Sequence, residues 1–245
     1  MLKKYFFLSF TIVFTYSFSI GQVIDASEEG SKNNRNASYL EDNNEFYIGI
    51  LPKYSYREMA VNEDFVSGSI EEFEGEEGKV ISNFMIGVRT PVLQEFLVDL
   101  GIGFFRNRDF YRFEDTDTLY QYTNTYRHIS FPVKFSLNLG NKVSFLAGVG
   151  ITPKAFMGLK SEITYRDSFS SFEQEEEVVT REGFNLFVLD ASANLGVRVE
   201  LNENFGFHFL VEGDYQLNNS YDKMSTIIRN AYTIGGNLGL TFRID

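Results

Sequence analysis

The stretch AYTIGGNLGLTFRID at 231–245 places Tyr232, Ile234, Leu238, Leu240, Phe242 and Ile244 on one parity. Thr233, Gly235, Asn237, Gly239, Thr241 and Arg243 occupy the other. A period of two is that of a strand with one apolar and one polar face. Four more stretches repeat it. One sets Ile129, Phe131, Val133, Phe135 and Leu137 against His128, Ser130, Lys134, Ser136 and Asn138; the next sets Val143, Phe145, Ala147, Val149 and Ile151 against Ser144, Gly148, Gly150 and Thr152. Phe187 to Leu201 and Phe205 to Tyr215 alternate in the same way.

Which face turns inward decides what the chain can be. A soluble barrel buries the apolar row, whereas a membrane barrel turns it to lipid. The polar rows here are mainly Gly, Ser, Thr and Asn with few long side chains, which suits a narrow interior better than a solvated surface. The apolar rows end in rings: Phe46 and Tyr54, Phe205 and Tyr215, Tyr232 and Phe242. Such rings resemble the aromatic girdles of membrane barrels. A charge at the lipid midplane costs about 2–4 kcal/mol, and these five rows carry none. The apolar face is therefore expected to meet hydrocarbon.

Eight alternating segments follow one another at about 45–57, 79–90, 95–112, 122–139, 142–160, 182–201, 204–217 and 230–244. Tight turns (PVLQ, GN, NEN) join the second to the third, the fourth to the fifth and the sixth to the seventh; the remaining connections read as loops of 10–20 residues. The expected fold is all-β: an eight-stranded antiparallel up-and-down transmembrane β-barrel with short periplasmic turns and long extracellular loops. An even strand count puts both termini on the periplasmic side. No helical period competes over a comparable length.

Residues 1–21 carry Lys3 and Lys4, an uncharged apolar run and the small Ser19 and Gly21 before Gln22. This reads as a secretory signal peptide. Residues 22–44 are polar and Asn-rich, a flexible periplasmic leader, and 45–245 form the barrel. The 245 residues hold no Cys, which excludes disulfides, thiol nucleophiles and thiolate metal sites, and their net charge of −12 argues against nucleic acid. Loss of Lys3 and Lys4 would take that charge to −14. Mean hydropathy just below zero is compatible with a membrane barrel, because only alternate residues meet lipid.

On these parities the interior collects Lys53, Arg57, Arg89, Lys134, Lys154, Arg198 and Arg243 with Asp99, Asp190, Glu200, Glu212 and Asp214. Isolated buried charges are too costly, so these groups are expected to pair. Eight strands leave little more than side-chain volume, which favours a structural plug over an ion or proton path.

The stretch 128–158, HISFPVKFSLNLGNKVSFLAGVGITPKAFMG, resembles the PorT-like outer-membrane β-barrels of Bacteroidota. The resemblance rests on Phe131-Pro132 with Lys134, the Gly140-Asn141 turn, and Ala147-Gly148 with Gly150; the closing GGNLGLTFRID is similar to the family's last strand. Phe131 stands where Ile or Leu is commoner, and Asp245 where barrels often end in an aromatic. The resemblance implies an outer-membrane barrel, with one member group serving a machinery that exports proteins.

Two constellations could carry chemistry. His128 and Ser130 share one strand face, a spacing also seen in an outer-membrane lipid A deacylase, but the parity of Ile129 turns them into the lumen, away from lipid. No enzyme activity and no cofactor are expected. Acids at 61–78 (Glu63, Asp64, Glu71, Glu72, Glu74, Glu76, Glu77) and 162–177 (Glu162, Asp167, Glu173, Glu175, Glu176, Glu177) are candidates for Ca²⁺ or Mg²⁺, bridging lipopolysaccharide phosphates. The competing reading is that they are solvated loops. The expected role is a closed structural or interaction barrel, contacting outer-membrane lipid and an envelope protein through its loops or leader. The alternative is a small-solute or ion pore.

Overall fold

A computed structural model describes residues 44–61, 76–93, 95–178, 183–221 and 227–243. Ten strands run through them: β1 (Glu45–Val61), β2 (Lys79–Leu93), β3 (Phe96–Glu114), β4 (Leu119–Ser130), β5 (Val133–Gly140), β6 (Val143–Arg166), β7 (Ser171–Val178), β8 (Phe187–Glu200), β9 (Phe205–Gln216) and β10 (Ile227–Arg243). Each strand pairs antiparallel with its neighbours, and β1 pairs with β10 from Glu45↔Arg243 to Val61↔Ile227. That ladder closes the sheet on itself. The ring has eight positions, one of them shared by β4 and β5, while among the described residues β7 pairs only with β6, outside the ring.

The fourth expected segment is thus two strands rather than one. Pro132 has no N–H to give the ladder, and β4 stops at Ser130 before β5 starts at Val133. The neighbours bridge the gap: Phe131 N donates to Pro153 O (2.9 Å) and Gly101 N to Pro132 O (3.0 Å).

The alternation translates directly into burial. Ile50, Phe84, Phe135, Val149, Phe209 and Leu240 are exposed, whereas Lys53, Lys154 and Glu212 are each 1% exposed. A water-soluble protein does the reverse. Phe205–Tyr215 and Tyr232–Phe242 each match the ~9–11 residues a tilted strand needs to cross hydrocarbon. The closed ring leaves no free edge among its belt strands, the condition for crossing a bilayer with strands. The fold is an eight-stranded antiparallel up-and-down transmembrane β-barrel.

Its interior is packed by matching large side chains with glycine on the adjoining strand. Tyr47 lies opposite Gly87, Lys53 opposite Gly235, Lys134 opposite Gly150 and His208 opposite Gly239. A Cβ at Gly87 or Gly239 would overlap the Tyr47 or His208 side chain, and at Gly235 or Gly150 it would collide with the backbone and stem of the lysine opposite. These glycines provide the room in which bulky polar groups lie flat against the wall.

The two ends differ. At the turn end, Gly140 adopts φ 119° to open the β5–β6 hairpin, a conformation L side chains rarely take. Asn202 Oδ1 caps the β8–β9 turn by accepting from Asn204 N (3.0 Å) and Phe205 N (2.8 Å). At the loop end the expected long β3–β4 connection is instead a tight turn, with Asp115 N donating to Thr118 O (2.8 Å). The strands themselves use the length, because alternating Tyr111, Tyr120 and Tyr122 keep pairing beyond the apolar belt. Residues 171–178, read from the sequence as loop, form β7 against the upper half of β6. Residues 1–43 and most of 61–78, with Glu63, Asp64, Glu71, Glu72 and Glu74, lie outside the described residues.

Candidate functional site

The lumen is the place where this sequence concentrates its chemistry. Alternation along β1 turns Glu45, Tyr47, Lys53, Ser55 and Arg57 inward. The same parity supplies Arg89 from β2, Asp99 and Asp109 from β3, Lys134 from β5, Lys154 from β6, Asp190 and Arg198 from β8, Glu212 and Asp214 from β9, and Arg229 from β10. They sort into three tiers along the axis.

The turn-end tier holds Arg89, Arg198 and Arg243 with Glu45, Asp99 and Glu200. Arg89 reaches Asp99 at 3.2 Å and Glu45 at 3.8 Å; Arg198 contacts Glu45 and lies 2.9 Å from Glu200; Arg243 contacts Glu200 and lies 3.6 Å from Glu45. Tyr47 donates its hydroxyl to Asp99 at 2.5 Å. The middle tier holds Lys53, Lys134 and Lys154 with Asp190, Glu212 and Asp214. Lys53 bridges Glu212 (2.6 Å) and Asp214 (2.5 Å), Lys134 meets the other oxygen of Glu212 (2.5 Å), and Lys154 pairs with Asp190. Thr233 adds a hydroxyl to Asp214 at 2.8 Å and Asn237 an amide to Glu212 at 3.2 Å.

The loop-end tier holds Arg57 and Arg229 with Glu76 and Asp109. Arg229 reaches Glu76 at 2.8 Å and Asp109 at 3.0 Å, and the Arg57 Nε lies 3.4 Å from Asp109. The Arg57 guanidinium stacks on Tyr126 at 3.6 Å. Burial alone would lower the Arg229 pKa, but Glu76 and Asp109 raise it above the ordinary arginine value. Burial also raises the Tyr122 hydroxyl, which Glu76 holds protonated as an acceptor. Phe156 and Phe184 stack at 4.7 Å and Phe184 and Tyr221 at 5.4 Å, and the Tyr221 hydroxyl lies 2.8 Å from that of Tyr126, which joins this ring cluster to the tier.

Among the described residues each tier is neutral: three cations to three anions, three to three, two to two. In a low-dielectric tube that balance matters more than any single pair, because an uncompensated buried charge is what the fold cannot tolerate.

Glu45, Asp109 and Arg229 were not singled out from the sequence, and Glu76 was read there only as a loop acid and candidate metal ligand. Glu45 and Asp109 share the parities of Lys53 and Asp99, and Arg229 shares that of Arg243, so extending the alternation toward the strand ends would have found them. Glu76 carried no such signal. It reads as a loop acid but is nearly buried, clamped by Arg229. Other loop acids are engaged locally: Glu162 with Lys160 (2.7 Å), and Asp167 with the N–H groups of Phe169 (2.7 Å) and Ser170 (2.6 Å). Among the described residues no three His, Asp or Glu gather as a metal ion would require.

His128 and Ser130 are buried and face the lumen. Ser130 Oγ donates to Gly103 O at 3.3 Å, and the His128 ring packs edge-on to Phe156 at 5.7 Å. The hydroxyl is directed at a carbonyl and the imidazole at a ring.

The chain matches no protein-family model and no curated protein. It is similar to solved outer-membrane barrels. These include the outer membrane protease OmpT from Escherichia coli, at 9% identity over 83% of this chain and 97% of that one, TM-score 0.45. The outer membrane protein OprG from Pseudomonas aeruginosa matches at 9% identity over 83% and 97%, TM-score 0.43. Neisserial surface protein A matches at 7% over 81% and 97%, TM-score 0.36.

Proposed function

We propose that this chain is an integral outer-membrane protein that works as a closed structural or interaction barrel of the cell envelope. Residues 1–21 direct its export, the turn end faces the periplasm with both termini, and the loop end faces outward. The observation that carries the reading is the lumen: three neutral tiers of ion pairs fill it along its length. A solute path would need a continuous wet column, and the paired charges occupy that space instead.

The resemblance of residues 128–158 to PorT-like barrels supports a role in secretion or envelope assembly. A protein partner is accommodated by β7, whose ladder among the described residues runs to β6 alone; a strand with an open edge can add a strand from elsewhere. Planar-bilayer recording tests the closed lumen. Purified protein is expected to give no conductance above background, and a reproducible single-channel step would overturn the reading. Cross-linking in intact cells should capture a partner through the loop end or through residues 22–44.

A further inference from the structure

The β6–β7 hairpin rises above the apolar belt and carries an aromatic row that stops in the open. Phe113 on β3 pairs with Tyr120 on β4, Tyr120 with Tyr165 on β6, and Tyr165 with Phe172 on β7. Tyr120 shares its parity with buried Tyr126, so the row lies on the face that continues the lumen wall upward. The Tyr165 and Phe172 rings lie 5.4 Å apart. At β7 the row ends: Phe172 is 50% exposed, and Phe169 at the hairpin tip is 99% exposed. Both lie beyond Lys160 and Glu162, where the hairpin has left the hydrocarbon, so lipid does not account for their exposure. Exposed apolar groups outside the membrane mark contact surfaces.

The backbone stops there too. Among the described residues β7 pairs with β6 alone, and that ladder runs from Leu159↔Val178 to Arg166↔Ser171 without a register shift. Natural edge strands are blunted by Lys, Pro or bulges; β7 reads SFEQEEEV and has none of these. Its protection is negative charge. From Leu159 to Val178 acids outnumber Lys and Arg six to two, and Lys160 is already engaged by Glu162 at 2.7 Å. Like charges brought opposite one another across strands are destabilising. The edge therefore repels a second copy of itself and favours a strand of opposite sign.

We propose that β7 receives an extended, basic segment of another protein as an added strand. The incoming backbone completes the open ladder, its Lys and Arg side chains answer the acidic strand, and its apolar side chains continue the ring row past Phe172. In strand addition the main chain supplies affinity and alternate side chains supply selectivity, and charge complementarity speeds encounter and rejects wrong partners.

The inference rests on the interaction-barrel reading above and names the chemistry of its partner. The test measures binding of fluorescent peptides to the full chain in lipid nanodiscs. One peptide alternates lysine with valine over the length of β7, one carries glutamate in place of lysine, and one is the lysine peptide N-methylated at every residue, which removes ladder donors but keeps the charge. Wild type should bind the first at least tenfold more tightly than either of the others. F172A and E173Q/E176Q should each lose at least threefold; Glu173 and Glu176 are exposed, so the double variant keeps the hairpin intact. Equal affinity for the lysine and glutamate peptides overturns the basic partner, and equal affinity for the N-methylated peptide overturns strand addition. Unchanged affinity in E173Q/E176Q overturns β7 as the place. In intact cells a photoreactive residue in place of Gln174 should cross-link a segment that mass spectrometry shows to be rich in Lys and Arg. An acidic segment, or a second copy of this chain, overturns the occupant. Capture at other loop-end positions but not at 174 defeats this inference alone; capture at none defeats the interaction reading as well.

Discussion

Glu212 on β9 and Lys134 on β5 meet inside the barrel at 2.5 Å although two strands, β6 and β8, lie between theirs in the ring. The second carboxylate oxygen of Glu212 takes Lys53 from β1 at 2.6 Å. One side chain therefore ties three walls of the tube. A cylinder held only by its ladders could flatten; this triad fixes its cross-section.

Removing the carboxylate should cost far more than removing a pair. Glu212→Ala leaves Lys134 without its anion and Lys53 with Asp214 alone, and breaking a buried ion pair costs about 3–5 kcal/mol. K134M/E212L deletes one charge of each sign and keeps the Lys53–Asp214 bridge, so it should be less destabilised than E212A. Urea unfolding in lipid vesicles compares the two, and a double variant weaker than E212A would refute the claim that charge balance governs this tier.

Glycine placement makes an independent prediction. Gly150→Ala would press a Cβ into Val133 O and the Lys134 backbone, an overpacking that costs about 1–3 kcal/mol. Gly213→Ala meets only Thr233 O at 3.7 Å. It should be neutral or stabilise by about 0.4–1 kcal/mol through reduced freedom of the unfolded chain. The same unfolding assay reads both, and equal effects would show that room opposite the lysine is not the reason for glycine.

The ring and its inside-out polarity were legible because one physical signal, a period of two, recurs along every belt strand. Parity alone placed Lys53, Lys134 and Glu212 on one surface. It could not say that Glu212 would lie between both lysines, since that depends on barrel radius and register across strands far apart in sequence. Above the belt the signal changed meaning. Residues 107–126 alternate polar with aromatic groups and so read partly as loop, yet they stay in the ladder because Tyr111 and Tyr122 stack at 5.4 Å across it. Glu76 was hidden for a related reason: its partner Arg229 comes from the other end of the chain.

Acid should loosen the β6–β7 hairpin tip while the barrel holds. The Tyr165 hydroxyl (2.6 Å) and the N–H groups of Phe169 and Ser170 donate to Asp167 and hold its pKa down at about 2. A carboxylate depressed in the folded state stabilises it above its unfolded pKa of about 4. That contribution fades as pH falls from about 4 through 2. Amide exchange at Phe169 and Ser170 should accelerate across that window in wild type, and should be fast at every pH in Asp167→Ala. A pH-independent rate in wild type would remove the carboxylate from the turn.

Arg229 makes the last prediction, at the loop end. Its guanidinium joins β10 to Glu76 ahead of β2 and to Asp109 on β3, and its backbone N–H donates to Asn219 Oδ1 at 2.8 Å. Arg229→Ala strips nearly buried Glu76 of its cation and leaves Asp109 with Arg57 alone, while that backbone bond stays intact. Leaving a buried charged group unsatisfied costs at least about 1–3 kcal/mol, and here the loss falls above the belt. The chain around residues 76–78 and 217–221 should therefore be cut faster by added protease, with the membrane-embedded ladders resisting as in wild type. A compensating R229A/E76Q variant should recover part of the protection, since it removes the stranded charge. Unchanged cleavage in R229A would mean that the stacked rings of Phe156, Phe184 and Tyr221 hold this region by themselves.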